Sequence, residues 1–154
     1  MVNLREVMRL LPMGVVIITT MDNGKPFGMT ANTFNSISLE PELVTFLADK
    51  SKGNDIPFKD AERFCVNFID DEKVLEVFAF SGLDKRFSSV KWEITQNGVP
   101  VLENSYAFIE AIMEKTVDIA DHSIIIGKVI NSSIVRKGKP IVWYMRKFTT
   151  LEDY

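Results

Sequence analysis

The sequence predicts a mainly β, single-domain protein: a closed or nearly closed antiparallel barrel, Greek-key-like, with a few short flanking helices. Three observations carry that reading. Continuous β-branched and aromatic runs recur as VVIITT (15–20), LVTFLAD (43–49) and FCVNFI (64–69), the texture of buried strands. Turn signals and short helical segments separate them, as in antiparallel architectures. The alternation of strands with long helices that marks a doubly wound fold is missing. One domain, 1–154, suits the chain length. The 46% hydrophobic content, with eleven Phe, is enough for a core without disulfides or structural metals.

Taken in order, residues 3–11 predict a short amphipathic helix, because Leu4, Val7, Met8 and Leu11 recur at helical spacing. Asn3 and Glu6 have the pattern of a capping box, and Pro12 and Gly14 end the segment. VVIITT follows as a strand. Asp22-Asn23-Gly24 is a tight-turn signal that sends the chain back through PFGMTANTF. LVTFLAD is the next strand, followed by the polar loop KSKGND (50–55) and a short helix near 55–62 that leads into FCVNFI. Over 71–80 an acidic first turn and a stripe of Val74, Leu75 and Phe78 predict a helix. SGLDKRFSSV (81–90) predicts a loop, and strands are predicted over 106–118, 123–135 and 140–146. In the first of these, Glu110, Glu114 and Asp118 alternate with Ala111, Met113 and Val117 as in a half-exposed strand, although helical spacing also fits.

Several function classes are disfavoured. A net charge of −3, from 18 basic and 21 acidic residues, gives no global attraction to nucleic acid or to an anionic membrane. Arg5, Glu6 and Arg9 spoil a signal-peptide core at the N-terminus, and no apolar run approaches the ~18 residues of a membrane span. The single Cys65 cannot bridge within the chain, which suits a reducing cytoplasm, and it reads as a core residue. Neither common glycine-rich nucleotide loop is present, and helix-turn-helix and RNA-stacking signatures are missing. One His and one Cys cannot build a usual zinc site, so no metal is expected. His122 is the only histidine, and its neighbour Asp121 is expected on the opposite face of a strand, which disfavours a hydrolytic triad.

Four segments are left as candidates. Gly28 to Ser38 is dense in small and hydroxyl residues. It reads either as a hairpin return strand and turn or as a surface of neutral donors for the polar edge of an isoalloxazine ring. The loop Asp49-Lys50-Ser51-Lys52-Gly53-Asn54 is either a solvated loop or a phosphate cradle. Lys85-Arg86-Phe87 is either a turn with one anchoring Phe, or an Arg for phosphate beside an aromatic wall. His122 is either structural or a hydrogen-bond donor to a nicotinamide carboxamide.

In that order the pieces resemble the flavin reductase family with the FMN-binding split-barrel fold, the reductase components of two-component flavin monooxygenases and their relatives. The resemblance runs through MRLLPMGVVIITT, GKPFGMTANTFNSISLEPELVTFLADKS, ERFCVNFI, FAFSGLDKRFSSVKW, GVPVLENSYA, ADHSIIIGKV and PIVWYMRKF, roughly residues 7–148. The GMTANTF core with SISLEP behind it is its specific part. The resemblance implies a homodimer that takes FMN, or FAD, near the subunit interface. NADH or NADPH is then the hydride donor, and a monooxygenase component is a partner. It implies flavin contacts at Thr30, Ala31 and Asn32, with Thr33, Ser36 and Ser38 close behind, and a second contact loop at Asp49, Lys50 and Ser51. Arg86 and Phe87 match the segment toward the phosphate, and His122 matches the histidine near the nicotinamide, the one candidate catalytic residue. NAD(P)H:flavin reduction is the implied activity; an FMN-binding electron carrier without it is the alternative. Two departures stand out: Ala120 where many members have Gly before the Asp-His pair, and Phe148 where Tyr is frequent.

Overall fold

A computed structural model describes residues 1–152 of the chain. Its elements are α1 (Leu4–Met8), β1 (Met13–Gly14), β2 (Val16–Asp22), β3 (Lys25–Ala31), β4 (Asn35–Leu39) and β5 (Glu42–Asp49). There follow α2 (Ile56–Asp60), β6 (Arg63–Ile69), α3 (Glu72–Phe80), α4 (Leu83–Ser88), β7 (Trp92–Ile94) and β8 (Pro100–Leu102). The chain continues with β9 (Ser105–Ile119), β10 (His122–Ile134), β11 (Ile141–Tyr144) and β12 (Lys147–Thr150). The protein is mainly β, as the strand texture of the sequence predicts. Among the described residues, no helix is long and apolar enough to cross a membrane.

Seven strands form one sheet in the order β3-β2-β6-β9-β10-β5-β4, with every pairing antiparallel. A flat sheet of seven strands would hold its edges about 29 Å apart at ~4.8 Å per strand. Yet the edge strands β3 and β4 are joined only by residues 32–34, a link that reaches about 14 Å at full stretch. The sheet must therefore curl until the end of β3 meets the start of β4. No ladder joins β3 to β4, so the sheet curls without closing.

The curl encloses one core and leaves a second outside it. Val16 and Ile18 of β2 pack inward with Phe27, Phe46, Phe58 and Phe64. Val15 and Ile17 face the other way, against Val74, Leu75 and Phe78 of α3 and Phe87 of α4. Both faces of β2 are thus buried, which is why VVIITT reads as a continuous rather than an alternating run. Between the layers lies a polar knot on fully buried Asn67. Its Nδ2 donates to Ile17 O and Thr19 Oγ1, both at 3.0 Å, while Oδ1 accepts from Leu102 N at 2.9 Å and Ser105 Oγ at 3.0 Å. One side chain so ties β2, β6, β8 and the start of β9.

The turn signals perform as expected. Asn23 (φ 50°) and Gly24 (φ 79°) form the two-residue link of the β2–β3 hairpin, and Asn3 and Glu6 close the capping box of α1. The ambiguous 106–118 segment is a strand, within β9. The structure adds strands β7, β8 and β12 to the sequence reading and ends the predicted 140–146 strand at Tyr144, and two segments near the site also differ. Residues 83–88 are helical rather than loop, because Phe87 is buried and Arg86 Nε and Nη1 donate to Ser81 O (2.7 Å) and Gly28 O (2.6 Å). Tertiary anchoring stabilises a helix too short to stand alone. Residues 35–39 are an edge strand with a bulge between Ser36 and Ser38, held by its pairing to β5.

Candidate functional site

Three of the predicted segments meet. Thr33 Oγ1 accepts from Leu47 N at 3.0 Å, which fastens the residues after β3 alongside the end of β5. Two residues further along, Asp49 is the register partner of His122 on β10. Asp49 Oδ1 accepts from Ser51 N (2.8 Å) and Ser51 Oγ (2.6 Å), and the Ser51 hydroxyl holds this carboxyl below the usual carboxylate range. Lys50 N donates to Asp121 O at 2.9 Å, joining the loop to the β9–β10 hairpin. Asp49, Lys50, Ser51 and His122 therefore form one cluster, and Thr33, Asn32 and Thr30 run away from it along the sheet edge.

That edge opens on a cavity of about 170 Å³ lined by Thr30, Asn32, Ala79, Phe80, Trp143 and Phe148, with Val15 behind. Its walls are aromatic: Trp143 and Phe148 face each other across β11–β12 with centroids 4.8 Å apart, and Phe80 stands 76% exposed at the end of α3. Thr30 spends its hydroxyl proton on Leu75 O at 2.8 Å, so toward a ligand its oxygen can only accept. Ala31 is buried beneath this surface.

Other candidates lie elsewhere or do other work. Ser36 and Ser38 pair with Val44 and Leu43, about 17–20 Å of strand from Asp49 at ~3.4 Å per residue. Ser36 instead borders a different cavity, of about 440 Å³. Phe87 is a core ring, stacked edge-on against Phe78 and Trp92, and offers no face to a ligand. Arg86 clamps α4 to β3, and burial pushes its pKa down. Gly28 is small for the sake of Phe78 and Phe87, whose rings a Cβ there would meet at 2.9 Å. Cys65 is buried, which pushes its thiol up and away from the reactive thiolate.

His122 corrects one expectation. Its Nδ1 lies 2.8 Å from Asp121 Oδ1, although strand neighbours should point apart. Asp121 is not in the strand: with Ala120 it makes the two-residue turn between Ile119 and His122, and Ala120 sits at φ 49°. A carboxylate only accepts, so the pair places the proton on Nδ1 and leaves Nε2 of the neutral ring as an acceptor. In that state Nε2 can accept a hydrogen bond but not give one. Asp121 is exposed, and no serine nucleophile completes a triad with this pair in the hydrogen-bond pattern.

Phe80, Trp143 and three arginines lie outside the contacts that the resemblance implies. Arg5, Arg9 and Arg146 line a cavity of about 340 Å³ that shares Asn32 and Trp143 with the aromatic cleft. An RxxxR pair at the turn-spacing of a helix was a legible signal for two of them.

Neutral acceptors beside aromatic walls, with a Lys–Ser loop and arginines at the borders, suit a planar aromatic cofactor bearing phosphate. The donor set fits a flavin with a nicotinamide dinucleotide: rings against Phe80 and Trp143, phosphate against basic residues, one of which keeps a buried, unpartnered nitrogen, Arg9 Nε. The comparisons agree with that class. The chain belongs to the flavin reductase like domain family, whose match spans residues 8–152. It is 33% identical over 140 residues to the reductase subunit HsaB of a flavin-dependent monooxygenase from Rhodococcus jostii, covering 90% of this chain and 72% of that one. It is 32% identical over 128 residues to the FMN reductase (NADH) SmoA of Agrobacterium fabrum, covering 83% and 73%. The crystal structure of the flavin reductase HpaC complexed with NADP⁺ is similar at a TM-score of 0.94 and 45% identity, over 97% of each chain.

Proposed function

We infer that the chain is an NAD(P)H:flavin oxidoreductase that uses FMN, folded as a single split-barrel domain, and that it works as a homodimer in the cytoplasm supplying reduced flavin to a monooxygenase component. The observation that carries the reading is the meeting of Thr33, the Asp49–Ser51 loop and His122 along one sheet edge that ends in the aromatic cleft. Names among the relatives favour the reductase and its monooxygenase partner. A homodimer suits the apolar stripe of α1, where Leu4, Val7 and Met8 are all exposed.

A bound flavin supplies the redox chemistry, taking up the hydride of the nicotinamide. The protein's part is alignment. Thr30, Ala31, Asn32 and Thr33 present backbone and neutral side-chain groups to the ring edge. Lys50 offers its ammonium to a phosphate, while the Ser51 hydroxyl and the Lys50 and Ser51 amides are engaged by Asp49 and Asp121. His122, held by Asp121, turns Nε2 toward the carboxamide.

NADH and NADPH oxidation by the purified protein, with and without added FMN, tests the reading. Oxidation that saturates with FMN is expected. Protein shown to hold FMN but inert to both donors would be an electron carrier instead. His122→Ala should raise KM for the nicotinamide donor about ten-fold, the worth of one hydrogen bond. Loss of FMN binding in that variant would contradict the placement of His122.

A further inference from the structure

Arg5 and Arg9 stand one helical turn apart, and the carbonyl of Arg9 accepts from Met145 N at 3.2 Å. That bond ties the end of α1 to the β11–β12 turn, which carries Arg146. The turn consists of Met145 (φ 52°) and Arg146 (φ 62°), both left-handed and neither glycine. The three arginines border the 340 Å³ cavity with Asn32, Trp143 and Met13, and its lining contains no acidic residue. No salt bridge engages any of the three among the described residues. Arg9 Nε is buried without a hydrogen-bond partner. Buried guanidinium donors are almost always satisfied, and clustered like charges repel. An anion satisfies both demands, and guanidinium forks match phosphate oxygens better than any other side chain.

We propose that Arg5, Arg9 and Arg146 form a binding site for a phosphate monoester, delivered either as the 2′-phosphate of NADPH or as the 5′-phosphate of FMN. The site rests on the reductase reading for its ligands, because it shares Asn32 and Trp143 with the proposed flavin cleft. It is separate from the Lys50–Ser51 loop, which lies beyond Thr33 along the sheet edge. With the Lys50 ammonium available to the flavin phosphate, the 2′-phosphate is the leading source. The enzyme would then prefer NADPH.

Equilibrium binding reads the site without turnover. Titrations of NADP⁺ against NAD⁺, and of FMN against riboflavin, are compared in wild type, Arg146→Gly and Arg9→Gln. Each pair of ligands differs by one phosphate monoester. Loss of one guanidinium should cut the affinity ratio of one pair about ten-fold or more. A fall in the NADP⁺/NAD⁺ ratio assigns the 2′-phosphate, and a fall in the FMN/riboflavin ratio assigns the flavin phosphate. If neither ratio moves beyond two-fold in either variant, whatever the absolute affinities do, the proposal is overturned. Arg146→Gly keeps the measurement safe from misfolding, since glycine suits φ 62°; its Tm should hold or rise while the ratio falls. Should the protein fail to oxidise NADPH or NADH at all, the reductase reading falls, but a shifted ratio would still establish the phosphate site.

Discussion

Asn67 and Arg9 both hold polar nitrogen away from water, and the molecule treats them in opposite ways. Asn67, inside the sheet, makes four hydrogen bonds to β2, β8 and the start of β9, so that neither its oxygen nor its nitrogen wants anything more. Arg9, at the rim, keeps a buried Nε without a partner beside two further unpaired arginines. A satisfied buried network specifies a fold; an unsatisfied one is a demand that a ligand can meet. Glu110 belongs with the first kind: it is 2% exposed, takes Asn131 Nδ2 at 2.7 Å, and accepts the Thr95 hydroxyl. The same contrast holds for backbone space. In the core, a Cβ on Gly127 would run into the Phe64 ring. At the rim, Ala120, Met145 and Arg146 occupy left-handed positions that glycine would fill without strain.

The contrast can be broken first at Asn67. Asn67→Ala strands Leu102 N–H, Ser105 Oγ and Ile17 O in a dry interior, at a cost of about 3 kcal/mol. Thermal denaturation should show Tm lower by about 10 °C for a chain of this size; a fall under about 2 °C would mean that water replaces the amide and that the knot is not specifying. Gly127→Ala comes next. Phe64 is fully buried and has no route of retreat, so the variant should lose about 2 kcal/mol in chemical denaturation, with the denaturant slope unchanged. The smallest effect runs the other way. Ala120→Gly removes a left-handed Cβ and should gain about 1 kcal/mol, or a Tm higher by about 3 °C. A loss instead would mean that chain stiffness at Ala120, rather than strain, governs the turn.

The outcome at Ala120 bears on the nicotinamide pocket as well as on stability. The turn it makes with Asp121 is what brings the Asp121 carboxylate to His122 Nδ1. A more mobile glycine turn would loosen that grip. Stability and nicotinamide affinity should therefore move apart in Ala120→Gly, as stability and phosphate affinity are expected to in Arg146→Gly.

Much of the sheet was legible because its signals are local. VVIITT, LVTFLAD and FCVNFI could only be strands, and Asn23-Gly24 could only turn them. The Thr30–Thr33 segment, the Asp49–Ser51 loop and His122 stood out by composition and by family resemblance, and they do converge. Arg86, Phe87 and Gly28 were also conspicuous, but the structure uses them to seat α4 on β3. A sequence cannot tell an arginine that faces a ligand from one that clamps a carbonyl, since the side chain is the same and the partner, Gly28 O, lies 58 residues away.

The sequence by itself determined the long strands, the tight turns and the α1 cap, because β-branching, backbone freedom at Asn-Gly and short-range hydrogen bonds act over a few residues; the class of ligand came through the family resemblance. Only the tertiary structure decided that Ala120 is strained, what each face of β2 packs against, that residues 83–88 coil into a helix, and that Arg5, Arg9 and Arg146 surround one cavity. Those outcomes depend on how a curled sheet brings distant segments within a few ångströms, and burial, strain and charge density are properties of that proximity rather than of any one stretch of chain.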